Sequence, residues 1–288
     1  MYPAGIYLSG CPNEWIAERR YKVLFLISSL PFINYMKPAR NQRKVIAIIP
    51  AAGLGKRFGP DANKPFLLLD GKPLIIWSLQ QMETVADIAE IIPVLQLKDM
   101  EYGKEMFEEY GITKIKKIAP GGRERQDSVR NGLKLIEDKD CIVLIHDAAR
   151  PLIQKDLIIN ALRELTLSFS PALKATEEAF TACDGVILGV PLKDTIKEAS
   201  DKVVHKTLKR AALWAVQTPQ LFHFRSISKA YEKASEEGYY ATDDSALVER
   251  YGGRIKIVMG SYENIKVTTP EDLVIAEALL KRYEKRSR

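Results

Sequence analysis

Apolar residues along the chain fall into short continuous runs that alternate with amphipathic stretches from residue 45 onward. The runs Val45–Pro50 and Ile88–Leu95 are rich in β-branched residues, which is typical of strands buried on both faces of a parallel sheet. Further strands are predicted at residues 114–119, 141–145, 185–190 and 254–259. Helical spacing of apolar residues predicts helices after Pro73, at residues 98–110 and 225–237, from about residue 242, and after Pro270. This order predicts the α/β class, with a Rossmann-like, mostly parallel sheet flanked by helices.

The alternation is interrupted in two places. Residues 168–181 have few strand signals and predict an inserted loop. Residues 191–219 lack the apolar period of a core helix and carry a basic set: Lys193, Lys197, Lys202, Lys206, Lys209 and Arg210. We interpret this second segment as an extended β-arm that projects from the sheet, although its charges alone fit a solvated hairpin as well as a binding surface. The expected organisation is one domain at residues 44–288 with an arm at about residues 191–219.

Residues 1–43 are expected to be an N-terminal extension. Residues 1–44 contain seven basic and two acidic residues, so they hold +5 of the net charge of +6. The rest of the chain is close to neutral, which argues against a nucleic-acid partner. The apolar run at residues 23–30 is much shorter than the ~20 residues of a membrane span, so no membrane partner is expected. We expect a disordered tail or a mis-assigned start, since Met36 offers another start, with plastid-type targeting as the alternative.

The cysteines and histidines predict neither a disulfide framework nor a histidine-rich metal centre. Cys11, Cys141 and Cys183 are odd in number and lack the spacing of metal ligands, and the three histidines lie far apart in sequence. Cys141 opens an apolar run, which favours a buried, reduced thiol. The cytoplasm is therefore the expected compartment.

A glycine-rich stretch at residues 51–59 follows the first predicted strand. Glycine allows a tight turn and a close approach of the backbone to a ligand, and Lys56, Arg57 and Lys64 add positive charge. This combination suits a polyphosphate. The stretch is not a Walker loop, because Arg57 stands where that motif needs Ser or Thr, and Phe58 breaks the dinucleotide fingerprint. A merely structural turn is the alternative.

Two later segments place polar groups after predicted strands. Gly121 and Gly122 are followed by Ser128, which serves either a ligand pocket or the N-cap of the next helix. Asp147 follows the strand at residues 141–145, and ligands of open α/β sheets bind at such carboxyl ends. Its carboxylate suits ribose hydroxyls or a metal ion, and the alternative is a cap on the following turn.

Seven motifs occur in a fixed order along the chain. They read Ala-Ala-Gly-x-Gly-x-Arg…Lys-Pro, Gly-Gly-x-Glu-Arg-x-x-Ser-Val, His-Asp-Ala-Ala-Arg-Pro, Pro-x-x-Asp-Thr, Thr-Pro-Gln, Thr-Asp-Asp and Asn-Ile-Lys-Val-Thr-x-Pro-Glu-Asp. Over about residues 44–284 this set resembles the 2-C-methyl-D-erythritol 4-phosphate cytidylyltransferase family of the non-mevalonate isoprenoid route. The resemblance implies transfer of a cytidylyl group from CTP to the sugar-alcohol phosphate, by a homodimer that uses Mg²⁺ or another divalent cation.

The resemblance also implies residue roles. Catalytic roles fall on Arg57, Lys64 and Lys266, which meet phosphates. Nucleotide binding falls on Ala51, Ala52, Gly53, Gly55, Gly122, Ser128, Asp147 and Ala148. Acceptor binding falls on Arg150, Thr195, Arg210 and Thr242, with Thr195 and Arg210 reaching the neighbouring subunit's site from the arm. Mg²⁺ is expected to bind mainly through the CTP phosphates, with Asp147 as a candidate ligand.

The implied chemistry agrees with the residues present. A phosphate monoester is already an anion at neutral pH, so its oxygen can attack the α-phosphorus without a general base, and the chain shows no histidine or paired-carboxylate constellation. Fixed cations such as Arg57 and Lys64 neutralise the charge that develops on the phosphates. The alternatives are a cytidylyltransferase for another polyol phosphate such as ribitol 5-phosphate, a non-catalytic nucleotide or nucleic-acid binder, and, more weakly, a dinucleotide oxidoreductase.

Overall fold

The computed structural model describes residues 43–53, 58, 64–168 and 183–286, and the chain from Arg43 onward forms one compact unit. The predicted N-terminal extension, the inserted loop beyond Ser168, and the glycine-loop residues Gly55 and Arg57 lie outside the described residues. Among the residues that are described, no helix is long and apolar enough to cross a membrane.

Strands and helices alternate along much of the described chain. The strands are β1 (Val45–Pro50), β2 (Leu68–Leu69), β3 (Lys72–Pro73), β4 (Ile88–Leu95), β5 (Ala119–Pro120), β6 (Ile142–Ile145), β7 (Gly185–Pro191), β8 (Lys197–Ser200), β9 (Val203–Thr207), β10 (Trp214–His223) and β11 (Ile255–Met259). The helices are α1 (Leu74–Glu83), α2 (Met100–Glu109), α3 (Arg125–Lys134), α4 (Lys155–Leu167), α5 (Phe224–Glu237), α6 (Asp244–Arg250) and α7 (Pro270–Arg286).

The central sheet contains seven of the described strands, in the order β11-β7-β10-β6-β1-β4-β5. Its neighbours are parallel except at β10, which runs antiparallel to both β6 and β7. The prediction of a Rossmann-like, mostly parallel sheet flanked by helices is therefore confirmed. This topology brings the carboxyl ends of β1, β4, β5 and β6 to one edge of the sheet.

Both faces of this sheet are covered by helices. Along β1, Val45, Ala47 and Ile49 pack into the cluster that contains the apolar faces of α1, α2 and α4. The alternate residues Ile46 and Ile48 pack into the cluster formed with α3, α5 and α6. Since successive side chains of a strand point to opposite faces, burial on both sides produces the continuous apolar run seen in the sequence.

Two strand predictions differ from the structure. The strand predicted at residues 114–119 is reduced to β5 and an isolated bridge between Ile91 and Ile115, at the edge of the sheet. By contrast, β10 is a long strand, and its first half lies in the segment for which the sequence predicts the arm. Pro219 lacks a backbone N–H, and the pairing of β10 with β7 shifts register between Gln217 and Gln220. The proline therefore sits at an irregularity of the strand rather than at its end.

The arm is the hairpin of β8 and β9, a separate two-stranded antiparallel sheet. Every residue of both strands is exposed. The hairpin leaves the central sheet after Pro191 and returns before Trp214, and these two residues pair with each other. Residues 214–219 thus belong to the central sheet.

Candidate active site

A cleft of about 670 Å³ lies at the carboxyl ends of β1, β4 and β6. It is lined by all of the predicted catalytic and nucleotide-binding residues that fall in the described part of the chain: Ala51, Ala52, Gly53, Lys64, Gly122, Ser128, Asp147, Ala148 and Lys266. Residues 51 and 266 are separated by most of the chain, so folding has gathered these groups from five segments. We call this space the front cleft.

Close packing explains the paired glycines of the front cleft. A Cβ atom on Gly121 would lie 2.4 Å from Cβ of Ala52, and one on Gly122 would lie 2.2 Å from Cβ of Asp127. Neither position can therefore hold a side chain without moving the loop away from β1 or α3. The glycines allow this loop to pack closely against Ala52 and Asp127.

Ser128 fastens this glycine loop to helix α3. Its hydroxyl accepts a hydrogen bond from the Gly122 N–H (3.0 Å) and donates one to the Glu124 carbonyl oxygen (3.2 Å). The alternative interpretation of Ser128 as an N-cap is wrong, because α3 starts at Arg125 with Glu124 in the N-cap position. Ser128 is buried one turn into the helix, on the side of the cleft.

Asp147 is buried between two cations. Its Oδ1 accepts from Arg125 Nε at 2.9 Å, and its Oδ2 lies 2.7 Å from Lys266 Nζ. Burial by itself would raise the pKa of the Asp147 carboxyl, but the charges of Arg125 and Lys266 outweigh burial and hold the pKa well below its usual range. The following turn is closed by the backbone, since Arg150 N–H donates to the Asp147 carbonyl oxygen. The carboxylate therefore does not cap that turn, and it faces the cleft fully ionised.

Arg125 is the residue of this site to which the sequence analysis gave no role. Its Nη1 and Nη2 donate to Oδ1 and Oδ2 of Asp244 at 3.0 and 2.8 Å, and the Tyr231 hydroxyl also donates to Asp244. Burial would lower the pKa of Arg125, but Asp244 and Asp147 raise it well above its ordinary value. A signal was present in the sequence, since Arg125 is the arginine of the motif Gly-Gly-x-Glu-Arg-x-x-Ser-Val. In the structure it is the first residue of α3, where the helix dipole disfavours a cation unless carboxylates face it.

A second cleft of about 740 Å³ adjoins the front cleft. Arg125, Asp147 and Lys266 line both clefts, and the second one is also lined by the predicted acceptor residues Arg150 and Thr242. We call it the back cleft. These three charged residues thus form the wall between the two spaces.

Arg150 brings a buried positive charge to the back cleft. Its Nη1 donates to the Asn264 carbonyl oxygen at 2.7 Å, whereas its Nε has no hydrogen-bond partner among the described residues. Burial lowers the pKa of Arg150, and the nearby Asp147 opposes that effect. A guanidinium in this position is suited to an anionic ligand.

The remaining two acceptor residues lie outside both clefts of their own chain. Thr195 and Arg210 are exposed on the arm, and Arg210 Nη1 donates to the Lys193 carbonyl oxygen at 2.6 Å. The fold of one chain therefore brings together Arg150 and Thr242 but not Thr195 and Arg210.

The donor set around Asp147 bears on metal binding. Within the described ranges, no group of three or more histidine, cysteine, aspartate or glutamate side chains could hold a metal ion. Mg²⁺ is commonly held by one or two carboxylates together with substrate phosphates and water. A single carboxylate at the wall of the cleft fits that mode, and does not fit a site built by protein side chains alone.

Comparison with known proteins places this geometry in a family. Residues 45–282 match the family described as 2-C-methyl-D-erythritol 4-phosphate cytidylyltransferase, IspD. The enzyme of that name from Geotalea uraniireducens is 43% identical over 241 residues, covering 83% of this chain and 97% of the relative, and that from Clostridioides difficile is 45% identical over 246 residues, covering 84% and 97%. The crystal structure of 4-diphosphocytidyl-2C-methyl-D-erythritol synthase from Anaerococcus prevotii superposes with a TM-score of 0.69 at 31% identity, covering 83% of this chain and 97% of that one. The chain belongs to the 2-C-methyl-D-erythritol 4-phosphate cytidylyltransferase family.

Proposed function

We propose that the two clefts divide the substrates of the family's reaction, with CTP in the front cleft and the acceptor in the back cleft. As a member of this family, the chain is a CTP-dependent transferase that converts 2-C-methyl-D-erythritol 4-phosphate to 4-diphosphocytidyl-2-C-methylerythritol in isoprenoid biosynthesis. The observation that carries the division is the shared wall of Arg125, Asp147 and Lys266. Two substrates that meet across this wall would have their reacting phosphates beside fixed cations.

The front cleft suits a nucleotide. We assign the base to the backbone groups of Ala51, Ala52 and Gly122 together with Ser128, since glycine-tight loops allow backbone amides and carbonyls to approach a planar base. The ribose is assigned to Asp147 and Ala148, and Gly53 is assigned to the nucleotide as well. Gly55, as a nucleotide-binding residue, and Arg57, on the triphosphate, remain part of this proposal.

The chemistry requires charge neutralisation rather than a base. An acceptor phosphate oxygen attacks the α-phosphorus of CTP, the bond from that phosphorus to the bridging oxygen breaks, and pyrophosphate leaves. We assign Lys64 and Lys266, with Arg57, to the phosphates, because cations beside the phosphates stabilise the negative charge that spreads in the transition state.

A divalent cation is part of the proposal. Asp147 is the carboxylate that would hold it, with the CTP phosphates as the remaining anionic ligands, in keeping with the lone carboxylate at the wall. When bound, the cation supplies additional neutralisation of the phosphate charge. The side chain of Lys64 orients the same phosphates independently of it.

The acceptor is assigned to Arg150 and Thr242 in the back cleft, joined by Thr195 and Arg210 of a second subunit. The support is their placement: Arg150 lines the back cleft with an Nε that has no hydrogen-bond partner among the described residues, while Thr195 and Arg210 lie on an exposed arm. A homodimer in which each arm reaches the partner's back cleft would unite the four residues. Sedimentation of wild-type protein at micromolar concentration tests the dimer.

We propose a cytoplasmic location for a folded body that begins near residue 44. Cys141 and Cys183 are buried free thiols, and burial raises the pKa of Cys141 to about 12, so the thiol is inert and suited to a reducing compartment. Mass spectrometry of the N-terminus of native protein tests both points. Loss of a basic leader would instead indicate import into an organelle, and an intact Met1 would establish residues 1–43 as a true extension.

Pyrophosphate release from CTP tests the assignment directly. With Mg²⁺ present, 2-C-methyl-D-erythritol 4-phosphate and ribitol 5-phosphate are offered in parallel, and UTP and ATP replace CTP in control reactions. Release with CTP and the first acceptor alone is the expected result. Preference for ribitol 5-phosphate would overturn the acceptor assignment and leave the front cleft as proposed.

A further inference from the structure

We propose that Arg125 is a positioning residue that keeps Asp147 in place while Lys266 changes partner from Asp147 to a substrate phosphate. The inference rests on the proposed function, because it concerns how the cation reaches the reacting phosphates. Arg125 takes part in this exchange and contacts neither substrate directly.

The two cations that contact Asp147 bind different oxygen atoms of its carboxylate. Arg125 Nε contacts Oδ1 and Lys266 Nζ contacts Oδ2, so either cation can leave without disturbing the other's contact. Lys266 is therefore engaged by protein in this structure, and a phosphate that binds it must displace Asp147. Lysine is suited to such an exchange, since its ammonium is a point charge on a flexible stem.

Arg125 is held far more firmly than Lys266. Both of its Nη atoms donate to Asp244, a residue with no exposed surface, and the buried Tyr231 hydroxyl donates to the same carboxylate. Arg125 and Asp244 belong to α3 and α6, which pack against the same face of the sheet. The planar guanidinium thus fixes the position of Asp147 relative to that face.

Electrostatics explain why the exchange needs Arg125. Until a divalent cation has bound, an Asp147 without Arg125 would have Lys266 as its only ion-pair partner, and a buried carboxylate that loses its only ion-pair partner carries a large desolvation cost. With Arg125 in contact, the carboxylate stays compensated after Lys266 has moved. The other charged or titratable groups that face Asp147 are Arg150, which lies near enough to favour its ionised form, and the buried His146.

A purely structural role for Arg125 would be to neutralise the buried Asp244. The double variant Arg125→Gln with Asp244→Asn separates the two roles, because it removes both charges while keeping a polar side chain at each position. A structural role predicts that the double variant regains both stability and turnover. The positioning role predicts that the midpoint of thermal unfolding recovers while kcat stays low, by on the order of 10²-fold, the effect of a small misplacement of a catalytic group.

The connection to Lys266 is tested by a cycle in the same background. In Asp244→Asn protein, kcat is compared for Arg125→Gln, Lys266→Ala and the two combined. If Arg125 acts through Lys266, replacing Arg125 should lower kcat only slightly once the Lys266 side chain is absent. The effects of the two substitutions on kcat would then be clearly non-additive. Equal fold-losses from Arg125→Gln with and without Lys266 would overturn the proposal, as would wild-type turnover in the double variant.

Arg125→Lys provides a second variant if removal of the charge impairs folding. Lysine keeps the charge but cannot contact both Oδ atoms of Asp244 and Oδ1 of Asp147 at once. We expect folded protein with lowered kcat, and wild-type kcat would contradict the proposal. Wild-type enzyme is assayed beside the variants. Absent turnover in the wild type would refute the proposed function itself, whereas unchanged turnover in the variants would refute only the role of Arg125.

Discussion

His146 Nδ1 lies 3.0 Å from Thr218 Oγ1, and both residues are buried. The Thr218 hydroxyl accepts from the Asp147 N–H at 3.1 Å, so its own hydrogen is available to donate to Nδ1. The other ring nitrogen, Nε2, lies 3.2 Å from the carbonyl oxygen of Arg150 and must donate to it. The contact between His146 and Thr218 therefore selects a neutral imidazole and secures the backbone that carries Asp147.

This neutral histidine should make the stability of the fold depend on pH. Burial lowers the pKa of His146 to about 4. Below its ordinary pKa of about 6.5 the unfolded chain binds the proton and the folded protein does not, so the free energy of unfolding falls as the pH falls from about 6.5 toward 4. The expected loss is about 2 kcal/mol between pH 7.5 and 5. Urea unfolding at the two pH values measures it.

His146→Gln should remove that part of the pH dependence. His205→Gln, a change on the exposed arm, is the matched control and should keep the wild-type slope. Burial also lowers the pKa of His223, whose share of the slope persists in both variants. An unchanged slope in folded His146→Gln protein would show that another group is responsible.

Lys64 should act on turnover more than on binding. It begins the short 3₁₀ helix Lys64–Phe66 at the mouth of the front cleft. We expect Lys64→Ala to lower kcat by about 10²–10³-fold, because one preorganised electrostatic donor is lost from the transition state. Pyrophosphate release measures kcat, with Lys104→Ala on the exposed side of α2 as the control. Near-normal kcat in a folded Lys64→Ala protein would refute the assignment.

Arg210 should contribute to binding of the acceptor and not to binding of CTP. If the arm reaches the partner's back cleft, Arg210→Ala removes a contact to the acceptor phosphate, and the KM for the acceptor should rise about tenfold or more while the KM for CTP changes little. Steady-state kinetics with each substrate varied in turn provide the comparison. Arg225→Ala, an exposed arginine on α5, is the control. Equal increases in both KM values would count against the assignment.

Ser128 should contribute to binding of CTP and not to the rate of the chemical step. Ser128→Ala leaves the Gly122 N–H without its acceptor and loosens the loop beside the base. One neutral hydrogen bond is worth about 1 kcal/mol, so we expect the KM for CTP to rise about fivefold with kcat almost unchanged. Ser228→Ala on α5 serves as the control. A wild-type KM for CTP in Ser128→Ala would show that the loop does not need this hydroxyl.

The strands of the sheet centre were the most predictable part of the fold. β1, β4 and β6 are buried on both faces, and this leaves a continuous apolar run that local sequence reveals. β10 could not be recognised in this way, because Pro219 interrupts its pattern and its two antiparallel partners come from distant segments. At the other edge, Ile115 makes only an isolated bridge, so an apolar-rich segment did not become a full strand.

The central strands, the candidate groups of the front cleft and the family motifs could be recognised from the chain alone, because each depends on residues that are close together in sequence. Which charges meet is set by tertiary packing. Arg125 lies 119 residues from Asp244 and 22 from Asp147, and their contacts exist because α3 and α6 pack on one face of the sheet beside the end of β6. The energy of an ion pair depends on the distance between its charges and on their burial, and both are set by packing rather than by any local pattern.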